Sequence, residues 1–130
     1  MITYHIYTDA SVGRENKEQY SICGVIVVDS HILDIYYKNR NKLIDVNVAE
    51  RTAIRESVQY TIKTYNANDI IVYSDSKVAL KKPFKNVKFL FVKAHRSHKW
   101  SFKHKFNNLA DYICKRGLDN WKNQWYNNIL

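Results

Sequence analysis

Over residues 2–8 apolar Ile2, Tyr4 and Ile6 alternate with Thr3, His5 and Tyr7, and a period of two predicts a strand. Asp9 to Glu18 is polar and predicts a loop. Tyr20–Val28 (YSICGVIVV) and Ile32–Tyr37 are β-branched runs separated by Asp29-Ser30-His31, which predicts a hairpin and hence an antiparallel meander of three strands. From about Val48 to Tyr65, Ala49, Ala53, Ile54, Val58 and Ile62 recur at helical spacing, with Asn47 and Glu50 placed as an N-cap and its third-position acid. Ile70–Tyr73 predicts a short buried strand. Ser74–Lys82 has room for a turn or two of helix before Pro83, and Val87–Val92 predicts the last strand. After a basic polar stretch, a helix is predicted over about Lys105–Arg116, closed by Gly117 as C-cap. Leu118, Trp121, Trp125 and Ile129 share one face of a possible short terminal helix.

The order β-β-β-α-β-(short α)-β-α predicts an α/β fold: a mixed five-stranded sheet, three strands antiparallel and two parallel, with helices on both faces. A strand–helix–strand crossover implies parallel, right-handed pairing. Reactive groups in such sheets gather outside the carboxyl ends of the parallel strands, and Asp9 and Asp75 are expected just after strands one and four. The 130 residues contain only 3 Gly and 1 Pro, with no repeat or linker, so one domain over 1–130 is expected. No apolar run reaches the roughly 18–20 residues of a membrane span. The N-terminus lacks a signal-peptide layout, and Cys23 and Cys114 are too few to staple a secreted fold. A reducing, cytoplasmic setting without membrane contact is the expectation.

The net charge of +9 is unevenly placed. Between Lys77 and Arg116 there are twelve Lys/Arg against a single acid, Asp111, which leaves the rest of the chain at −2. A positive field of that kind suits a phosphate backbone; a solvated face kept for solubility is the plainer alternative. Aromatics interleave the basic residues. Phe89 and Phe91 fit a core strand, whereas Trp100 and Phe102, in a polar stretch, suit stacking on a base or sugar.

Asp9, Glu50, Asp75 and Asp111 sit at element ends or inside helical patterns, and each has a structural use: strand end, capping box, helix cap, or an i,i+4 pair of Asp111 with Lys115. Together they imply more. If strands one and four are neighbours, Asp9 and Asp75 end side by side, and the first helix brings Glu50 to the same edge. Crowded anions raise one another's pKa and cost stability unless a cation joins them. Oxygen-only ligands suit Mg²⁺ or Mn²⁺, and two such ions about 4 Å apart serve in-line displacement at phosphorus.

Thr8-Asp9-Ala10-Ser11, Ala49-Glu50 opening a helix after a meander, Ser74-Asp75-Ser76 after a short strand, and Val92-Lys93-Ala94-His95 followed by Asn107 and Asp111 resemble, in order, the motifs of the ribonuclease H family. The resemblance spans residues 2 to about 116 and is closest to a type 1 form without the basic protrusion. It implies a metal-dependent endonuclease that hydrolyses the RNA strand of RNA–DNA hybrids to 5′-phosphate and 3′-hydroxyl ends. Asp9, Glu50, Asp75 and Asp111 would be catalytic ligands of two Mg²⁺ ions, with Mn²⁺ as a substitute, and His95 a proton shuttle or an aid to product release. Ser11, Asn47, Ser76, Lys77 and Asn107 would bind or orient the substrate. Three departures bear on specificity: Ala10 replaces a usual Gly, Val46 a frequent Asn, and Lys77 a frequent Gln. Recognition of the 2′-hydroxyl depends on polar contacts of that kind, so hybrid specificity is less firmly implied than nuclease chemistry.

His95, His98, His104 and Cys114 match no common zinc spacing. Trp121 and Trp125 suit a packing stripe in a monomer; exposed, they would mark a partner surface. Two other functions fit parts of the pattern: a non-catalytic hybrid- or RNA-binding module, and a transposase- or resolvase-type nuclease on the same architecture. Four crowded acids argue against the module, and Glu50 against the second class, which generally lacks that helix acid.

Overall fold

A computed structural model describes residues 1–13, 18–76, 86–92 and 102–118, the side chains of 102–104 excepted. The elements run β1 (Tyr4–Val12), β2 (Tyr20–Val28), β3 (His31–Arg40), α1 (Val46–Tyr65), β4 (Ile70–Ser74), β5 (Val87–Phe91) and α2 (Phe102–Arg116). The sheet order is β3-β2-β1-β4-β5. β1–β2 and β2–β3 are antiparallel, whereas β1–β4 and β4–β5 are parallel, as the element pattern predicts. The expected short helix before Pro83, the basic stretch before α2 and the terminal Trp121/Trp125 helix lie outside the described residues.

The β2–β3 turn is Asp29-Ser30, both with positive φ (50° and 67°). Such a turn has the twist that a two-residue hairpin needs. α1 stops where Asn66 turns left-handed (φ 53°) and its N–H bonds to the Ile62 carbonyl at 2.9 Å. Gly117 ends α2 in the same way, at φ 88°, with its N–H on Ile113. The predicted glycine cap is present.

β3 runs on to Arg40 rather than Tyr37 and α2 starts at Phe102 rather than Lys105, and two further boundaries that differ from expectation bear on the site. β1 does not end before Asp9 but continues to Val12. The β4 pairing stops at Tyr7↔Tyr73, while pairing with β2 carries on to Val12↔Tyr20, so one neighbour alone holds the polar tail extended. Asp9 is therefore inside its strand; Asp75 is the first residue past β4. α1 starts two residues early, capped by Asp45, whose side chain accepts from the Asn47 N–H at 2.8 Å. Asn47 is then inside the first turn and Glu50 in the second, so the Asn47–Glu50 capping box does not form.

Among the described residues each face of the sheet carries one helix. Ile54 and Val58 of α1 pack on Ile6, Ile26 and Val72, and Phe106, Leu109, Ala110 and Ile113 of α2 pack on Tyr7, Cys23, Val25 and Tyr73. α1 lies close against the sheet at Gly24, where an added Cβ would fall 2.2 Å from Ser57 Oγ and 2.6 Å from Ser57 Cβ. Gly24→Ala is expected to cost about 1–3 kcal/mol through overpacking, read as a lowered denaturation midpoint. An unchanged midpoint would contradict this close packing.

Candidate active site

Asp9 and Asp75 are placed by the parallel β1–β4 pair, and Glu50 by the second turn of α1 on one face of the sheet. One carboxylate oxygen from each of Asp9, Glu50 and Asp75 lies within 4.8 Å of the other two. Asp9 and Glu50 are buried, at 5% and 7% exposure, while Asp75 is half-buried. The Asp9 carboxylate accepts the Ala10 N–H at 2.8 Å, which fixes its rotamer against its own strand. Glu50 meets Asp9 in a carboxyl–carboxyl contact, yet its buried Oε2 has no hydrogen-bond partner.

The electrostatics follow from this crowding. Burial, then the charges of Glu50, Asp75 and Asp111, push the Asp9 carboxyl well above the carboxylate range; the Ala10 N–H opposes them only in part. Burial and the Asp75 charge push Glu50 up to about 8. Asp111 approaches from α2 on the opposite face. It is not among the three oxygens that converge, but its charge acts on both Asp9 and Glu50. Its carboxylate pairs with Lys115 at 3.1 Å, the i,i+4 contact the sequence suggests.

The donor set fits a hard divalent cation. It is made of oxygen alone, the three ligand atoms lie at chelating separation, and the unpartnered Glu50 Oε2 needs a positive partner. Asp9, Glu50 and Asp75 are the residues that would hold it, with Asp111 alongside.

The other predicted site residues divide. Ser11 is half-exposed two positions beyond Asp9 on β1, and Asn47 is half-buried in the first turn of α1. The Ser76 N–H bonds to Ser74 Oγ at 3.1 Å, which shapes the turn around Asp75. Asn107 is 3% exposed, on the buried side of α2. Lys77 and His95 lie outside the described residues.

Cys114 was no part of the expected site. Its thiol donates to the Asp9 carbonyl at 3.1 Å, tying α2 to β1 beside the carboxylates. Cys23 is the cross-strand partner of Asp9, and both thiols are free and buried. Burial above all, with Cys23 next to it, pushes the Cys114 thiol up, so it is a neutral donor rather than a nucleophile. The sequence signal was slight: a small apolar residue three positions after Asp111.

No protein-family model matches the chain, and no curated protein matches it significantly. Solved structures do. The ribonuclease H1 isolated from compost by a metagenomic approach aligns with a TM-score of 0.67 at 18% identity, over 92% of this chain and 98% of that one. The ribonuclease H1 of the halophilic archaeon Halobacterium salinarum aligns at 0.67 and 17% identity, over 91% and 98%. The compost enzyme, solved in complex with an RNA/DNA hybrid, aligns at 0.63 and 15%, over 92% and 98%. The chain has the ribonuclease H fold. Among the described residues no helix is long and apolar enough to cross a membrane.

Proposed function

We propose that the protein is a divalent-cation-dependent endonuclease that hydrolyses the RNA strand of RNA–DNA hybrids. The observation that carries the proposal is the convergence of Asp9, Glu50 and Asp75 at the β1–β4 edge of this fold, two of them buried and both pushed up by burial and neighbouring carboxylates. Supporting it are the basic stretch from Lys77 to Arg116 and the hybrid held by the compost enzyme with the same fold.

In this reading Asp9, Glu50, Asp75 and Asp111 hold Mg²⁺, two ions in all, with Mn²⁺ as a substitute. Bound there, the cations supply positive charge to the scissile phosphodiester and to the water that attacks it. Asp9 is the fixed point, clamped by the Ala10 N–H in front and by the Cys114 thiol on its carbonyl behind. Glu50 presents its unpartnered oxygen from a helix seated on the core, so the ligand geometry is preorganised. His95 serves as proton shuttle, while Ser11, Asn47, Ser76, Lys77 and Asn107 position the strand or the site. The products carry 5′-phosphate and 3′-hydroxyl ends.

The test is a cleavage panel at one salt concentration: RNA–DNA hybrid, duplex DNA, four-way junction and single strand, each with and without Mg²⁺. Cleavage of the hybrid's RNA strand in Mg²⁺ alone is the expected result. Junction or duplex-DNA cleavage would instead assign a resolvase- or transposase-type nuclease. Binding without products in Mg²⁺ or Mn²⁺ would leave only a hybrid-binding module.

A further inference from the structure

A concavity opens at the C-terminal end of α2, reached along β1 two residues past Asp9. It has a volume of about 210 Å³ and is walled by Ser11 of β1, Ser21 of β2, Tyr37 and Asn39 of β3, and Lys115 and Arg116 of α2. Ser11, Ser21 and Asn39 are consecutive cross-strand partners, so their side chains rise from the same row on one face of the sheet. Asn39 Nδ2 donates to Ser21 Oγ at 2.7 Å, which leaves the Ser21 hydroxyl to act as a donor. No carboxylate lines the cavity among the described residues. Two basic residues, three hydroxyls and the side-chain amides of Asn39 and Gln19 thus line a space large enough for a phosphate group.

Basic residues in the last turn of a helix ordinarily complement its dipole, and that accounts for Lys115 and Arg116 as a type. It does not account for the donors that β1, β2 and β3 turn toward them. Lys115 is shared: its ammonium pairs with Asp111 at 3.1 Å while its side chain borders the cavity. Arg116 borders the cavity while its guanidinium lies over the Tyr112 ring one turn back, 5.3 Å from its centroid. Ser11 is two residues from Asp9 on the same strand, an axial offset of about 7 Å at roughly 3.3 Å per residue.

We infer that this cavity is an anion subsite that grips one backbone phosphate of the substrate near the bond at the carboxylates. The inference rests on the nuclease reading for the identity of the strand, but the anion site itself does not require turnover. Lys115 and Arg116 supply charge, the Ser11, Ser21 and Tyr37 hydroxyls supply directed donors, and the strand's register over Asp9 is set by this hold.

The experiment measures binding of a labelled RNA–DNA hybrid to the full chain carrying Asp75→Asn, as a function of NaCl concentration. Lys115→Gln with Arg116→Gln is compared with Arg55→Gln with Lys63→Gln, a pair on the exposed side of α1 that removes the same charge. The cavity pair is expected to weaken binding about tenfold near 0.1 M salt and to reduce the slope of log K against log salt by about 1, the release from one phosphate. The α1 pair should change each by less than half as much. Asn39→Asp, which places a carboxylate in the cavity, should weaken binding like the cavity pair. A scan with single neutral methylphosphonates should find one sensitive position that loses its sensitivity in the cavity pair. Equal effects from the two pairs, or a scan unchanged by the cavity pair, would overturn the subsite. Cleavage by the unsubstituted chain is scored separately. Its absence removes the nuclease reading, while the subsite is decided by the binding arms.

Discussion

Asp9→Asn, and equally Asp75→Asn, is expected to abolish cleavage of an RNA–DNA hybrid, by more than about 10³-fold, while hybrid binding is retained or tightened. The two effects have different origins. Each substitution removes one anionic oxygen donor from the set that holds the cations, so the charge needed at the phosphodiester is lost. It also removes one negative charge from a cluster that repels the backbone phosphates. The Asp9 change is conservative in shape: asparagine keeps an oxygen for the Ala10 N–H, which Asp9 now accepts at 2.8 Å. Folding should therefore survive, and a parallel binding measurement separates lost chemistry from lost structure. Retained turnover in both variants would mean that these carboxylates do not hold a catalytic cation.

The second large effect is on stability and its dependence on pH. Burial and the Asp75 charge raise Glu50 from 4.5 to about 8 in the folded protein, and Asp9 is raised as well. Between those two pH values the folded state binds more protons than the unfolded chain. Stability contributed by the protonated cluster is therefore fully present below about pH 4.5 and is lost as pH rises through 8. In chelator, this loss should amount to several kcal/mol and lower Tm by at least about 10 °C between pH 5.5 and 8.5, at roughly 2–8 °C per kcal/mol. Saturating Mg²⁺ should remove most of that fall, because it binds the ionised cluster and only in the folded state. Glu50→Gln should flatten the chelator curve as well. A Tm in chelator that is level or rises across this range, in the unsubstituted protein, would contradict the repulsion inferred at the site.

The parts of the fold written in local pattern were legible in the chain. The hairpin at Asp29-Ser30-His31, whose turn is Asp29-Ser30 with His31 already in β3, the glycine stop at Gly117 and the strand–helix–strand order are all short-range signals, and all three are present in the structure. What misled were features decided by distant partners. Asp9 to Val12 reads as the start of a polar loop running to Glu18, but Tyr20–Cys23 hold it extended. Asp45 and Asn47 are both good cap residues, and local preference alone does not choose between them. The Asp45 carbonyl accepts the first helical bond, from Ala49, which moves Glu50 out of the cap and frees it for the carboxylate cluster.

The site itself was legible as chemistry rather than as geometry. Four acids in a set order predicted a shared centre, and the structure brings three of their oxygens within chelating distance. Asp111 is placed to act on that centre through its charge while keeping the Lys115 pair. The Cys114–Asp9 bond spans 105 positions along the chain, and the donor-lined cavity draws on three strands and a helix. Neither has a local signature, so both required coordinates.

The most direct measurement is a Mn²⁺ titration of chelator-stripped protein near pH 7.5, with free ion counted by electron paramagnetic resonance in the absence of nucleic acid. Saturable uptake by the native sequence, weakened at least tenfold by either Glu50→Gln or Asp75→Asn, is the predicted result. Uptake that is absent, or that proceeds undiminished in both substituted proteins, would contradict the account.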